Sequence, residues 1–252
     1  HSGPCNILLS KADCDVNAAV STVSEDPTNW TPLIAASIKG NTNIVKILLR
    51  RDDILVNKTG HDKRNAMMHA CMQNHIQIVK ILLHEVKINA ICPEGHTALQ
   101  YAVIRGCDRI VKVLVLRRDL NINILFPVAT TQLTSLGWAC VRGHDKCAAA
   151  LLSRSDIEIN LCGDGESSPL LFAAYSGHLK IVSMLSSRSD VDLNAVNEEK
   201  VSALWMAAMK GHANCVRCLL SKPSCDVNLL CSGSTALSVA CLNGHNKSVR
   251  FL

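Results

Sequence analysis

Aromatic residues and long apolar runs are scarce in this chain of 252 residues. Only eight residues are Phe, Trp or Tyr, and the net charge of +5 is modest for the length. A surface that binds nucleic acid needs clustered basic residues and stacking aromatics, so we expect no nucleic-acid partner. No uninterrupted apolar run approaches the length of a membrane span, and membrane insertion is not expected either.

Catalytic and cofactor motifs are also missing. The sequence has no G-x-S-x-G, no H-E-x-x-H, no glycine-rich loop ending in Lys-Ser or Lys-Thr, and no protein-kinase signature. One C-x-x-C occurs, from Cys215 to Cys218, but zinc needs four ligands and no second pair lies at a suitable spacing. We therefore predict no catalytic residue, no metal and no cofactor, and we expect these two cysteines to pack in the core.

What the sequence does contain is a repeat. The stretch "TPLIAASIKGNTNIVKILL" begins at Thr31, and related segments recur every 32 to 37 residues, beginning at Asn65, Thr97, Thr134, Ser168, Ser202 and Thr235. Each copy has a side chain that can cap a helix, a short apolar segment, a Gly or Asn, and a second apolar segment. Two helices this short cannot bury their apolar faces alone, so the copies are predicted to stack.

The chain resembles the ankyrin-repeat family over essentially its whole length. The likeness rests on the Thr/Ser-Pro/Ala-Leu openings, an alanine in each first helix, Gly-His turns such as Gly177–His178, and a recurrent phrase that ends in Asn, as in "LLSRSDIEIN". The resemblance implies an all-α repeat solenoid of stacked helix-turn-helix pairs and β-hairpin loops, curved around a concave groove. It also implies that the histidines of the turns bond backbone.

A single ankyrin-repeat domain, 1–252, is predicted from these copies, with about six full repeats. It has a partial repeat at 1–25, repeats that start near 26, 60, 92, 129, 163 and 197, and a truncated last repeat at 230–252. The chain opens on the tail of one repeat and stops inside another, so we interpret it as a fragment of a longer protein. Longer connections at 18–30 and 124–133 predict enlarged hairpin loops.

Cysteine usage bears on the compartment. Several of the 13 cysteines stand where other copies have Ala or Ile, as buried unoxidised thiols can. This favours a reducing compartment, the cytoplasm or nucleus. Three N-x-S/T triplets, at Asn29, Asn57 and Asn246, point the other way, towards glycosylation, but such triplets are frequent by chance.

The resemblance implies a non-catalytic, monomeric scaffold that binds a protein or peptide on its concave surface. The alternative is a regulatory or targeting segment of a larger enzyme or channel. The candidate contacts are the two residues before the Gly or Asn of each turn, an apolar residue followed often by a basic one. They are Ile38, Lys39, Met72, Gln73, Ile104, Arg105, Val141, Arg142, Tyr175, Ser176, Met209 and Lys210, joined by Trp30, Arg64 and His96 from the hairpins.

These pairs have two interpretations. If they are open, they form an apolar stripe edged with positive charge, which suits a partner with apolar anchors and acidic neighbours. If they are closed, each apolar member packs against the first helix of the next repeat.

The closing asparagines carry a further implication of the resemblance. Ankyrin repeats with an acidic residue two positions before this Asn resemble substrates of an asparaginyl hydroxylase that uses iron and 2-oxoglutarate. The matching positions are Asn17, Asn160, Asn194 and Asn228. The alternative is that each Asn ends its loop and hydrogen-bonds the turn.

Overall fold

The computed structural model describes residues 14–19, 29–128, 131–163 and 167–252. Most of the predicted partial repeat at 1–25 and of the connection at 18–30 lies outside these ranges. The chain divides into two compact units, His1–Asn121 and Ile122–Leu252, and each is described by itself. The boundaries of the individual repeats stay a prediction.

Paired short helices make up the described part of the first unit. In chain order they are α1 (Pro32–Lys39), α2 (Thr42–Leu48), α3 (Ala66–Met72), α4 (Ile76–Leu82), α5 (Ala98–Ile104) and α6 (Asp108–Leu114). The first helices pack on one another, α1 on α3 and α3 on α5, and the second helices do the same, α2 on α4 and α4 on α6. Each pair thus buries its apolar face against its neighbours, as the short helices require.

The second unit repeats this arrangement after a small hairpin. Its elements are β1 (Phe126–Val128), β2 (Thr131–Leu133), α7 (Ser135–Arg142), α8 (Asp145–Leu152), α9 (Pro169–Tyr175), α10 (Leu179–Ser186), α11 (Ala203–Met209), α12 (Ala213–Leu220), α13 (Ala236–Leu242) and α14 (Asn246–Val249). The strands pair antiparallel, Phe126 with Leu133, within the predicted enlarged loop at 124–133. The all-α repeat fold is confirmed.

Helix capping explains where the first helices begin. The Thr31 hydroxyl accepts a hydrogen bond from the Ile34 amide at 3.3 Å. Pro32 occupies the first turn, where the missing N–H of proline costs no helix hydrogen bond, because amides of the first turn have no carbonyl partner within the helix. Thr97 and Gln100 bond each other's backbone amides, which forms a full capping box. These are the residues from which the sequence predicts the helix starts.

The core follows the repeat register. The alanine of each first helix is buried throughout, at Ala36, Ala70, Ala102, Ala139, Ala173, Ala207 and Ala240. All twelve described cysteines are free thiols, and seven of them are buried. Cys241 is an exception to the predicted packing: it shares its register with the buried Ala208, yet it is exposed, because no described helix packs over that side of α13.

Candidate functional site

The predicted contact pairs lie at the C-terminal ends of the first helices. In the first unit, Ile38, Met72 and Ile104 are half-buried, while Lys39, Gln73 and Arg105 are exposed. In the second unit, Val141, Ser176 and Met209 are half-buried, Tyr175 is 44% exposed, and Arg142 and Lys210 are exposed. We call these residues, six in each unit, the helix-end surface of that unit. Its apolar members are neither fully open nor fully covered.

Histidines of the turns hydrogen-bond the backbone of this surface. An imidazole of each later repeat bonds the carbonyl oxygen of the apolar member one repeat earlier, and the pairs are His75 with Ile38, His178 with Val141, His212 with Tyr175 and His245 with Met209, at 2.9 to 3.3 Å. The turn histidines therefore bond backbone, as expected, but they do so across the boundary between repeats.

Glycine in the turn makes room for that ring. Gly177 has φ of +73°, and a Cβ built on it would lie 2.6 Å from Nδ1 of His212. Two departures from the Gly-His pattern occur in neighbouring turns: Asn74 stands in for glycine with φ of +60°, and the next turn carries Cys107 in place of histidine. The Cys107 thiol donates to the Cys71 carbonyl at 3.8 Å.

A cavity of about 410 Å³ opens beside the helix-end surface of the second unit. The ends of α7 and α9 contribute Val141, Tyr175 and Ser176, which the sequence singled out. The other lining residues, which it did not, are Leu133, Trp138, Ser167, Leu171, Phe172, Asn197, Glu199 and Met206. The cavity thus has apolar and aromatic walls with a few polar groups, as binding pockets commonly do.

Two cations flank this cavity. The guanidinium carbon of Arg142 lies 5.1 Å from the centre of the Trp138 ring, and Nζ of Lys210 lies 4.6 Å from the centre of the Tyr175 ring. These cation–π contacts hold both charges next to the lining aromatics. Arg142, Lys210 and Met209 do not line the cavity themselves, although the sequence grouped them with the residues that do.

The predicted hairpin contacts of the first unit belong to a polar cluster. Nε of Arg64 donates to the Tyr101 hydroxyl at 2.7 Å, and Arg64 also pairs with Glu94 at 3.2 Å and with Asp62 at 3.5 Å. The His96 ring stacks on Tyr101, with 5.1 Å between ring centres. Arg64 and His96 therefore hold the hairpins to α5. The sequence missed the partners Glu94 and Tyr101, because residues 30 and 37 positions apart give no local signal, and it also missed the neighbouring Asp62.

His69 is the buried titratable group of this cluster. Its side chain is almost fully buried, and its Nε2 lies 3.2 Å from Oδ2 of Asp62. The Trp30 and His69 rings pack edge to face, with 6.1 Å between ring centres. Burial lowers the pKa of His69, and the charge of Arg64 adds to this, while Asp62 opposes it; the net direction is downward. His69 is thus a buried residue paired with an acid.

The closing asparagines form a ladder between successive loops. Each side-chain amide donates to a carbonyl and accepts from an amide of the next loop, about 30 to 40 residues later. For Asn194 these partners are the Ser224 carbonyl at 2.7 Å and the Asp226 amide at 2.8 Å. The same two bonds are made by Asn17, Asn89, Asn123 and Asn160.

Asn228 stands apart from this ladder. Its backbone amide bonds Asp226 at 2.9 Å, as that of Asn194 bonds Asp192, but its side-chain amide has no partner among the described residues. The tied asparagines therefore bond backbone with their side chains, but their partners lie in the next loop and not in their own turn.

Of the two C-x-x-C residues, only Cys215 packs in the core as predicted, and Cys218 is half-buried. Cys215 is fully buried and burial raises its pKa to about 11, which disfavours the thiolate that a metal or redox site needs. Cys218 is half-buried, with Sγ 3.8 Å from the Ser186 hydroxyl. In the described ranges no group of three or more His, Cys, Asp and Glu side chains could hold a metal ion. Nor does any helix described there combine the length and apolarity that a bilayer crossing demands.

Comparisons with known proteins agree with this architecture. A family model described as ankyrin repeats (3 copies) matches residues 52–126, 121–197 and 170–252, and an ankyrin-repeat model matches residues 28–60. The fold is similar to that of the crystal structure of the human ASB11 ankyrin repeat domain, with a TM-score of 0.69, 21% identity, and coverage of 84% of this chain and 92% of that one. At this identity the likeness shows the fold alone. A search of curated proteins gives no match.

Proposed function

The chain belongs to the ankyrin-repeat family, whose repeats are generally protein–protein interaction modules, and from this premise we propose that it is a non-catalytic scaffold that binds a protein or peptide partner through its helix-end surface. The observation that carries the proposal is the cavity beside Val141 and Tyr175, flanked by the cations of Arg142 and Lys210.

Preorganisation supports this assignment. The carbonyls of Ile38, Val141, Tyr175 and Met209 are held by histidines of the following repeats, so little backbone ordering remains to be done when a partner binds. Half-buried apolar residues beside exposed Lys39, Arg105, Arg142 and Lys210 suit a segment that brings apolar anchors and acidic neighbours. We further propose that the protein is a monomer of a reducing compartment, the cytoplasm or nucleus, which its free thiols support.

Selection from a peptide library displayed on phage tests the proposal, with the immobilised chain as bait. Peptides recovered on the parent are then measured against Tyr175→Ala and Met209→Ala. Because each change truncates a contact residue of the surface, we expect the two together to weaken binding by about 1–4 kcal/mol. Leu116→Ala is the matched control, since Leu116 is an exposed apolar residue outside the surface.

Charge reversal supplies a second measurement, which tests the electrostatic part of binding through its dependence on salt. Arg105→Glu or Arg142→Glu is expected to slow association, and the effect is expected to be largest at low salt. Circular dichroism of every variant checks that the helices remain. Recovered peptides that bind all variants as tightly as the parent, or variants that lose their helices, would show that the helix-end surface is not the binding site.

A further inference from the structure

The cavity of the second unit has an acidic end that the proposed function leaves unexplained. Glu199 lines it from the hairpin between α10 and α11, and this residue is exposed. Among the described residues its carboxylate has no ion-pair partner, although the cations of Arg142 and Lys210 lie over the Trp138 and Tyr175 rings, which line the same cavity.

The hairpin holds Glu199 in a defined place. Val196 and Ser202 close the hairpin through an isolated antiparallel bridge. Asn197, only 8% exposed, accepts from the Val201 amide at 3.1 Å and donates to the Ser167 hydroxyl at 3.2 Å. Backbone positions on this rim are therefore set before any ligand arrives.

The next hairpin reinforces this position from the other side. The Ser232 hydroxyl donates to the Glu199 carbonyl at 2.5 Å, and the Ser232 amide donates to the Lys200 carbonyl at 3.1 Å. Two loops thus fix the backbone that carries the carboxylate. A carboxylate presented on a rigid rim attracts a cation without further ordering of the loop.

An apolar cavity that ends in an unpaired carboxylate favours one kind of side chain. A purely apolar occupant would strip water from Glu199 and give nothing in return, which costs free energy. A lysine or arginine has an aliphatic stem that can lie along apolar walls and a cationic tip that can meet the acid. The walls available to such a stem include Leu171, Phe172 and Met206.

We propose that this cavity receives a lysine or arginine side chain of the partner, with its stem against the apolar walls and its cation at Glu199. The same partner segment carries an acidic residue that faces Arg142 or Lys210, so that it binds in one direction, basic towards the hairpins and acidic towards the helix ends. The inference rests on the proposed function and names the partner chemistry of its site.

Blocked amino acids test the cavity without a natural partner. The probes are the N-acetyl, N-methylamide derivatives of lysine, arginine and norleucine; norleucine matches the lysine stem and ends in a methyl group instead of an ammonium group. Titrations are followed by NMR at the ¹³C-labelled methyl group of Met206, which lines the cavity. The Met206 signal is assigned from its disappearance in the spectrum of Met206→Leu. Glu199→Gln removes the charge, and Glu198→Gln is the matched control, because Glu198 is an exposed neighbour that does not line the cavity.

In the parent and in Glu198→Gln, we expect lysine and arginine to bind about two- to five-fold more tightly than norleucine, the range that a partly exposed ion pair supports. In Glu199→Gln, we expect this preference to disappear. The inference is overturned if norleucine binds the parent as tightly as lysine, if the preference survives in Glu199→Gln, or if no probe shifts the Met206 signal. Peptides that need Tyr175 but bind Glu199→Gln unchanged would leave the proposed function standing and remove this inference alone.

Discussion

Replacing Asn194 with Ala is expected to loosen the attachment of two successive loops, whereas the same replacement at Asn228 is not. The two residues are closely matched: each ends the same phrase, and the backbone amide of each bonds an aspartate two positions earlier, at 2.9 Å. They differ in the side chain. That of Asn194 makes two hydrogen bonds to the following loop, and that of Asn228 makes none within the part of the chain that the structure describes.

The size of the effect follows from these bonds. A neutral hydrogen bond contributes about 0.5–1.5 kcal/mol net, so two bonds correspond to about 1–3 kcal/mol. Asn194 is only half-buried, and water can replace part of what is lost, which places the expected loss in unfolding free energy at about 1–2 kcal/mol. For Asn228→Ala we expect a change within about 0.5 kcal/mol, as for other surface substitutions.

Urea unfolding, followed by circular dichroism and by tryptophan fluorescence, measures both variants against the parent. Trp138 and Trp205 report on the second unit, which contains both asparagines. The comparison uses the midpoint at constant slope, so that a change in cooperativity is recognised. Equal midpoints for Asn194→Ala and Asn228→Ala would refute the reasoning, because the ladder would then contribute nothing to stability.

Three other predictions concern His69, the turn glycines and the modification of asparagine. The pKa of His69 is lower in the folded chain than in the unfolded chain, so on acidification the unfolded chain binds a proton at His69 at a higher pH than the folded chain does. The contribution of neutral His69 to stability is therefore complete above pH ~6.5 and is lost as the pH falls. His69→Phe should therefore flatten the dependence of unfolding free energy on pH between neutral and acidic solution, and unchanged profiles would contradict this. Gly177→Ala and Gly244→Ala both place Ala at a φ near +70°, which costs about 1–2 kcal/mol of stability, but only at Gly177 would the new Cβ meet an imidazole. Calorimetric melting should therefore show the larger loss of stability for Gly177→Ala, and equal losses would argue against the close contact. On co-expression with an asparaginyl hydroxylase, tryptic mass spectra should show a one-oxygen increment at Asn228 before Asn194, because the amide of Asn194 is tied to the next loop; an unmodified Asn228 beside a modified Asn194 would contradict this order.

Local patterns were sufficient for the repeats and their helices. Helix starts at Thr31 and Thr97 depend on side chains within three residues of the cap, and the buried alanines follow from helical spacing within one short segment. These features are visible in a sequence because they require only neighbours along the chain. The same logic failed at Cys241, whose burial depends on a helix packing over it rather than on its own register.

Contacts between repeats were decided by tertiary structure alone. The sequence marked Gly177 and His212 as parts of two separate turns, and stacking brought one ring against the other residue. It marked Arg64 as a free contact, whereas Tyr101, 37 positions later, holds its guanidinium.

The cavity shows the same division between sequence and structure. Tyr175 was recognisable from its place before a turn, but Glu199 came to the same cavity from a hairpin that only the stacking of repeats brings near. Helix capping and apolar spacing act over a few residues, so they can be recognised in the sequence. Distances across repeats depend on how whole helix pairs pack, and only the folded structure fixes those.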